Sequence, residues 1–176
     1  MLKRLSAIFL LAAVVAGCSN DGWQTASRES AGIAPAPADT PEAVVQVYAA
    51  DAWGWRGIFA VHTWIAIKPS NADSYTVHEV VGWRERRGLP VLRSVQDQPD
   101  RYWFGARPEV IYDLRGAKAD ELIPKIQSAV ENYPWKDEYR VFPGPNSNTF
   151  PAWVGLQVPE MELDMPFRAI GSGWAD

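Results

Sequence analysis

The sequence predicts an α+β domain in which a small antiparallel sheet packs against two or three helices. Three observations predict this class: short apolar runs rich in β-branched residues, turn-forming residues between those runs, and one later segment with apolar residues at helical spacing. Strands joined by short turns pair antiparallel, and a helix that follows them covers one face of the sheet.

The apolar runs in the first two thirds of the chain are expected to form the sheet. Residues 44–50 and 59–67 are apolar and β-branched, and residues 75–83 follow a polar segment whose composition suits a hairpin loop. The second and third strands are therefore predicted to be antiparallel neighbours. A fourth strand is predicted at residues 109–114, and a weaker one near residues 101–104.

Two helices are predicted in the last third of the chain. Residues 117–132 form an amphipathic pattern with Pro124 near its start, and its apolar positions are Leu122, Ile126, Ala129, Val130 and Tyr133. A shorter helix is expected to begin near Asn146, since asparagine is a good N-cap, and to end before Pro159. These helices are expected to cover one face of the sheet.

The N-terminus has the layout of a bacterial lipoprotein export signal. Lys3 and Arg4 precede an uncharged apolar stretch over residues 5–16, and the sequence Val-Ala-Gly-Cys that ends at Cys18 resembles the lipobox. We therefore expect residues 1–17 to be removed and Cys18 to be acylated, since each buried methylene contributes about 0.8 kcal/mol to membrane anchoring. The alternative is a free thiol beside an ordinary secretion signal.

The residues after Cys18 predict where the protein is held. Ser19 follows Cys18 in place of the aspartate that retains lipoproteins at the inner membrane, so the resemblance implies the periplasmic face of the outer membrane. Residues 18–42 are rich in Ala, Pro, Ser, Asp and Gly and are predicted to form a flexible tether. Residues 43–176 have the size of one α+β domain.

Composition excludes several classes of function. Cys18 is the only cysteine, so the mature domain has no disulfide, thiolate metal site or cysteine nucleophile. The formal net charge is −4, and removal of Lys3 and Arg4 makes it −4 − 2 = −6, which argues against nucleic acid as a partner. The aspartates show no metal-loop spacing. We predict no metal and no cofactor.

One serine and two histidines are the candidate catalytic residues. Ser147 lies where the second helix is expected to begin, and the amide groups of a helix N-terminus can stabilise a developing oxyanion. His62, in an apolar strand, is the candidate base for the serine hydroxyl, and His78 is the candidate orienting group. Glu79 is the weaker candidate for that role, because strand alternation directs it away from the face of His78.

Each of these residues also has a purely structural interpretation. Residues 143–149 contain the residue types that any turn and helix cap would use, and single histidines in apolar strands are commonly core residues. The segment Arg84-Glu85-Arg86-Arg87 is expected to be a solvated loop, with an anion contact as the alternative. The active-site hypothesis depends on the combination of Ser147 with the histidines.

The nine tryptophans of the chain give a second hypothesis. Core packing is expected for most of them, since large aromatic side chains bury much apolar area. A groove for a peptide or glycan would instead use exposed rings, and the candidate groove residues are Trp53, Trp55, Trp64, Asn146 and Asn148.

Two sequence motifs resemble known families. His62-Thr63-Trp64 on one strand, followed by His78-Glu79 and by the late segment Asn-Ser-Asn-Thr-Phe over residues 146–150, is similar to the circularly permuted papain-like superfamily. That resemblance implies a papain-like fold and peptidase, amidase or acyltransferase chemistry, but Ser147 stands in the place of the nucleophilic cysteine. The strand His-Thr-Trp-Ile-Ala (62–66) and the segment Gly-Pro-Asn-Ser-Asn-Thr-Phe (144–150) also resemble an uncharacterised bacterial family of domains of unknown function, and that resemblance spans most of residues 44–173.

These observations support three hypotheses about function. The first is a lipid-anchored, hydrolase-like domain in which Ser147 and His62 act on an amide or ester of the cell envelope. The second is a catalytically silent binding module for a peptide, glycan or lipid of the envelope. The third is a purely structural envelope protein.

Overall fold

The computed structural model describes residues 22–176, and the predicted signal sequence and Cys18 lie outside them. The described chain forms a five-stranded antiparallel sheet with strand order β4-β3-β2-β1-β5. The strands are β1 (Val44–Asp51), β2 (Val61–Lys68), β3 (Thr76–Val80), β4 (Leu92–Gln96) and β5 (Glu109–Arg115). Two α-helices follow, α1 (Ala117–Glu131) and α2 (Thr149–Gln157), with short 3-10 helices between the elements. The predicted α+β class is confirmed.

Regular pairing of β1 with β2 forms the centre of the sheet. The register runs from Val44 opposite Lys68 to Asp51 opposite Val61. β3 pairs antiparallel with β2, so the predicted hairpin is confirmed. Because side chains alternate along a strand, this register determines which residues share a face of the sheet.

The two faces of the sheet differ in what covers them. On the helix face, Val45, Val47, Ile65 and Ile67 pack with the apolar residues of α1 and α2. On the opposite face, which we call the aromatic face, Tyr48 and Trp64 pack with Val77 and Trp103. Both faces are buried, which explains why β2 is buried at every position.

Residues 27–34 lie against the domain although they fall within the predicted tether. The carboxylate of Asp100 accepts hydrogen bonds from the hydroxyl of Ser30 at 2.8 Å and from the N–H groups of Ile33 and Ala34 at 2.7 and 3.1 Å. Ile33 packs on the aromatic face. Composition alone suggests a flexible segment, but these contacts with one buried carboxylate hold it in place.

Three element predictions differ from the structure. The sequence does not predict β4, because Leu-Arg-Ser-Val-Gln lacks a clear apolar pattern. In the structure this strand is half-exposed. Residues 101–104 contribute to two isolated bridges, Arg101 with Ser30 and Trp103 with Ala106, and to a tight turn rather than to a strand. α2 begins at Thr149 rather than near Asn146. No helix within residues 22–176 combines the length and apolarity that crossing a bilayer requires.

Candidate functional site

Ser147 lies on the helix face, just before α2. It is 5% exposed, and its carbonyl oxygen accepts a hydrogen bond of 3.2 Å from the hydroxyl of Thr63 on β2. Its side chain lies near that of Tyr139, whose pKa is raised by burial. The serine is therefore enclosed by the loop and strand that hold it.

Two asparagines beside Ser147 hold the loop in its conformation. The amide oxygen of Asn146 accepts hydrogen bonds from the N–H groups of Asn148 at 2.9 Å and Thr149 at 3.3 Å. The amide nitrogen of Asn148 donates to the carbonyl oxygens of Val61 at 3.0 Å and Ile170 at 2.9 Å. Both asparagines are buried, so the structure places these candidate groove residues inside the loop rather than along a groove.

His62 lies on the aromatic face. Its ring stacks on Trp103 with centroids 3.5 Å apart, and its Nε2 lies 3.3 Å from Oε2 of Glu79. Its neighbour Thr63 points to the helix face and contacts the loop that carries Ser147. The structure therefore does not bring His62 and Ser147 together, because adjacent residues of a strand point to opposite faces.

His78 lies on the helix face. A residue that orients His62 would instead have to lie on the aromatic face. Its Nδ1 lies 2.7 Å from the hydroxyl of Ser94 on β4. The residue that contacts His62 is instead Glu79, which points away from the face of His78 as strand alternation requires. The position expected for the group that orients His62 is therefore occupied by Glu79, the weaker candidate, and not by His78.

Glu79 is the centre of a buried charge cluster. Its Oε1 accepts a hydrogen bond of 2.6 Å from Nη2 of Arg101, and Nε of Arg93 lies 2.6 Å from the same oxygen without hydrogen-bond alignment. Burial would raise the pKa of Glu79, but the hydrogen bond with His62 and the charges of Arg101 and Arg93 outweigh it and lower the pKa to about 2. Burial lowers the pKa of His62, which favours the neutral ring.

The charge cluster opens into a cavity of about 230 Å³, which we call the arginine cavity. Arg28 lies over the ring of Phe104 at 4.2 Å, and Nη1 of Arg101 is buried with no acceptor among the described residues. Within residues 22–176, no three His, Cys, Asp or Glu side chains are arranged to hold a metal ion. The cavity is lined by Arg28, Glu79, Trp83, Arg93, Asp97, Arg101, Tyr102, Trp103 and Phe104.

A tight turn separates the arginine cavity from a second, larger cleft. Phe104 and Gly105 both have positive φ angles, 49° and 87°, which is the geometry of a two-residue hairpin turn. A phenylalanine rarely adopts this conformation. The ring of Phe104 lines both the arginine cavity and the second cleft. The second cleft has a volume of about 380 Å³ and is lined by Trp53, Ile58, Trp103 and Phe104, among others.

The three candidate groove tryptophans have different positions. Trp53 lines the larger cleft. Trp55 is exposed and packs against Phe59 with centroids 5.5 Å apart. Trp64 is fully buried and donates its indole N–H to the carbonyl oxygen of Pro99 at 2.7 Å, so it is a core residue.

The arginines of the cavity were missed by reasoning from the sequence. Arg93 lies in the strand that was not predicted, and Arg101 lies in the segment that was predicted as a weak strand. The available signal was Glu79, a carboxylate within an apolar run, because a buried charge requires a partner of opposite charge.

The comparisons with known proteins give a family. No curated protein and no solved structure matches the chain. A family model described as "Protein of unknown function (DUF3750)" matches residues 42–174, which include the sheet, both α-helices and most of the cavity lining. The chain therefore belongs to the DUF3750 family of proteins of unknown function.

Proposed function

We propose that this chain is a lipid-anchored protein of the bacterial cell envelope whose domain binds a carboxylate-bearing peptide in the arginine cavity. Acylated Cys18 would hold it at the periplasmic face of the outer membrane. The observation that carries the proposal is the convergence of Arg93 and Arg101 on one buried carboxylate within an aromatic-walled cavity. Arginine is the side chain best suited to recognise a carboxylate through paired N–H donors.

The charges lining the cavity favour an anionic ligand. Three arginines oppose Glu79 and Asp97, so the lining carries 3 − 2 = +1 with a neutral His62 beside it. The lowered pKa of Glu79 keeps its carboxylate ionised, and it therefore holds Arg93 and Arg101 in position. Nη1 of Arg101 is buried without an acceptor among the described residues, so this cavity-lining arginine has an unused donor.

The apolar part of the lining favours a ligand that carries an apolar group as well as a negative charge. Trp83, Trp103 and Phe104 line the cavity together with the arginines. Binding sites for small ligands combine such apolar walls with a few placed polar groups, and 230 Å³ suits a side chain or a chain end rather than a whole oligomer. A peptide carboxylate with an adjoining apolar group fits both features.

The positions of His62 and Ser147 support binding over hydrolysis. A general base must come within about 2.6–3.2 Å of the group whose proton it takes. His62 contacts Glu79 and Trp103 on the aromatic face, whereas Ser147 contacts Thr63 and Tyr139 on the helix face.

Calorimetric titration of the whole protein tests the binding proposal. The ligands are short peptides released from peptidoglycan, before and after amidation of their carboxylates. We expect binding only before amidation, and Arg28→Gln should weaken it about ten-fold, as expected for loss of one charged hydrogen bond. Arg107→Gln is the matched control, because Arg107 is exposed nearby but does not line the cavity. Equal binding of amidated peptides would contradict the proposal. Binding of uronic-acid oligosaccharides alone would show that the ligand is a glycan and not a peptide.

Hydrolysis by Ser147 is the second candidate function. It is favoured by the position of Ser147 two residues before the first residue of α2, where the amide groups of a helix N-terminus could stabilise an oxyanion. If this function holds, Ser147→Ala abolishes turnover of envelope amides or esters in a folded protein, and Ser147→Cys gains amidase activity. Turnover that Ser147→Ala leaves unchanged would exclude the serine as a nucleophile.

A further inference from the structure

Large apolar side chains are exposed together at one end of the sheet, where β1 ends and β2 begins. Ile58 is 83% exposed, Phe142 is 76% exposed and Phe167 is 98% exposed. We call this surface the apolar end, and it comprises Trp55, Ile58, Phe59, Val141, Phe142, Phe167 and Trp174. Single exposed apolar residues are common in soluble proteins, but a clustered set indicates a contact surface.

Hydrogen bonds hold the segments of the apolar end side by side. Arg168, next to Phe167, donates to the carbonyl oxygen of Gly57 and to the carboxylate of Asp51. The amide nitrogen of Asn146 donates to the carbonyl oxygens of Val141 and Ile170, both at 3.1 Å. These bonds place the loops that carry the exposed side chains next to one another.

Basic residues lie at the same end of the sheet. The register that places His78 opposite Ile65 brings the end of β3 beside the start of β2, and the 3-10 helix Gly82–Arg87 follows directly. Arg86 and Arg87 are exposed and form no ion pair with any residue that the structure describes. An apolar surface next to unpaired arginines is typical of proteins that contact anionic lipid headgroups.

The N-terminal segment enters the domain beside the apolar end. The carbonyl oxygen of Ser27 accepts a hydrogen bond from the N–H of Gly105. Gly105 adjoins Phe104, whose ring lies 5.5 Å from that of Trp53 at the start of the exposed loop. Ser27 is 27 − 18 = 9 residues after Cys18, which limits the separation to about 30 Å.

We propose that the apolar end docks on the lipid bilayer to which Cys18 is anchored, with its aromatic side chains in the interfacial region and Arg86 and Arg87 at anionic headgroups. Tryptophan and other large apolar side chains are favoured at that depth of a membrane. This inference rests on the lipid anchor of the proposed function. It adds a second contact that fixes the orientation of the domain, with the β2–β3 turn directed away from the bilayer.

Site-specific fluorescence on the lipidated protein tests the docking. An acylated Cys18 has no free thiol, so Ile58→Cys and, separately, Phe167→Cys each introduce one reactive site at the apolar end. Asp73→Cys, exposed in the β2–β3 turn at the opposite end, is the matched control. Each variant is labelled with an environment-sensitive dye and reconstituted in vesicles of phosphatidylethanolamine and phosphatidylglycerol, with and without spin-labelled lipid as a quencher.

The expected result is a blue shift and quenching of the label at positions 58 and 167, and neither effect at position 73. The charge reversal Arg86→Glu with Arg87→Glu should reduce the quenching at position 58. Labels that remain in water at all three positions would overturn the proposal. A blue shift that grows with protein concentration in the absence of lipid would also overturn it, because a second copy of the chain would then cover the surface. The mass of the mature protein reports acylation separately, so failure of the anchor is distinguished from failure of docking.

Discussion

Replacement of Glu79 by glutamine would preserve the side-chain shape and remove the negative charge that Arg93, Arg101 and His62 share. Glu79 is 1% exposed and the side chain of Arg101 is 8% exposed, so the arginine charge would be left buried without its carboxylate. Breaking a buried ion pair in this way costs about 3–5 kcal/mol. The pKa of Glu79 gives a second value for this loss of stability. A decrease of the pKa from 4.5 to about 2 corresponds to about 3 kcal/mol of folding free energy at neutral pH.

The pH dependence of this loss has a defined sign. The pKa of Glu79 is lower in the folded than in the unfolded protein, so its stabilisation is complete above pH 4.5 and is lost as the pH falls toward 2. Urea unfolding at pH 7, followed by tryptophan fluorescence, should show Glu79→Gln to be less stable by about 3 kcal/mol. Glu109→Gln, at an exposed position of β5, is the control and should stay within about 0.5 kcal/mol. A loss below about 1 kcal/mol for Glu79→Gln would refute the argument that this carboxylate compensates the buried arginines.

Three further changes test other parts of the fold. Burial lowers the pKa of His78 to about 4, so stability should fall by up to about 3 kcal/mol as the pH falls from 6.5 to 4, and His78→Gln should flatten that part of a urea-unfolding profile. Gly171→Ala should lower the melting temperature, because φ is +96° and the added Cβ would lie 2.2 Å from Nδ2 of Asn146; an equal effect of Gly173→Ala, where the space is open, would contradict this. Thr63→Val removes the hydroxyl that bonds the Ser147 loop and should cost about 1–3 kcal/mol in denaturant unfolding, whereas unchanged stability would show that the bond contributes nothing.

The elements that could be predicted from the sequence are those with strong periodic patterns. The structure has β1 at Val44–Asp51 and α1 at Ala117–Glu131, within one residue of the predicted bounds, because each is bounded by turn residues and carries a continuous apolar pattern. The strand Leu92–Gln96 has no such pattern, since it is a half-exposed edge strand held by pairing with β3. Edge strands of this kind depend on a partner that is distant in sequence.

The candidate site depended on information that a single sequence does not contain. The pattern of β2 shows that His62 and Thr63 point to opposite faces, but not which face the second helix covers. The structure places α2 on the face of Thr63, and this one choice separates His62 from Ser147. The alternation that made Glu79 the weaker candidate for the orienting role is the same alternation that places it beside His62.

The N-terminal segment that packs against the domain extends the arginine cavity beyond the residues that the family model matches. The DUF3750 match begins at residue 42, yet Arg28 lines the arginine cavity, and Ser30 and Ile33 attach that wall to Asp100. A relative with the same domain and different residues before it would have a different wall at this cavity. For the binding function proposed above, residues before position 42 would therefore contribute to selectivity, and a fragment cut at the family boundary would lack part of the cavity wall.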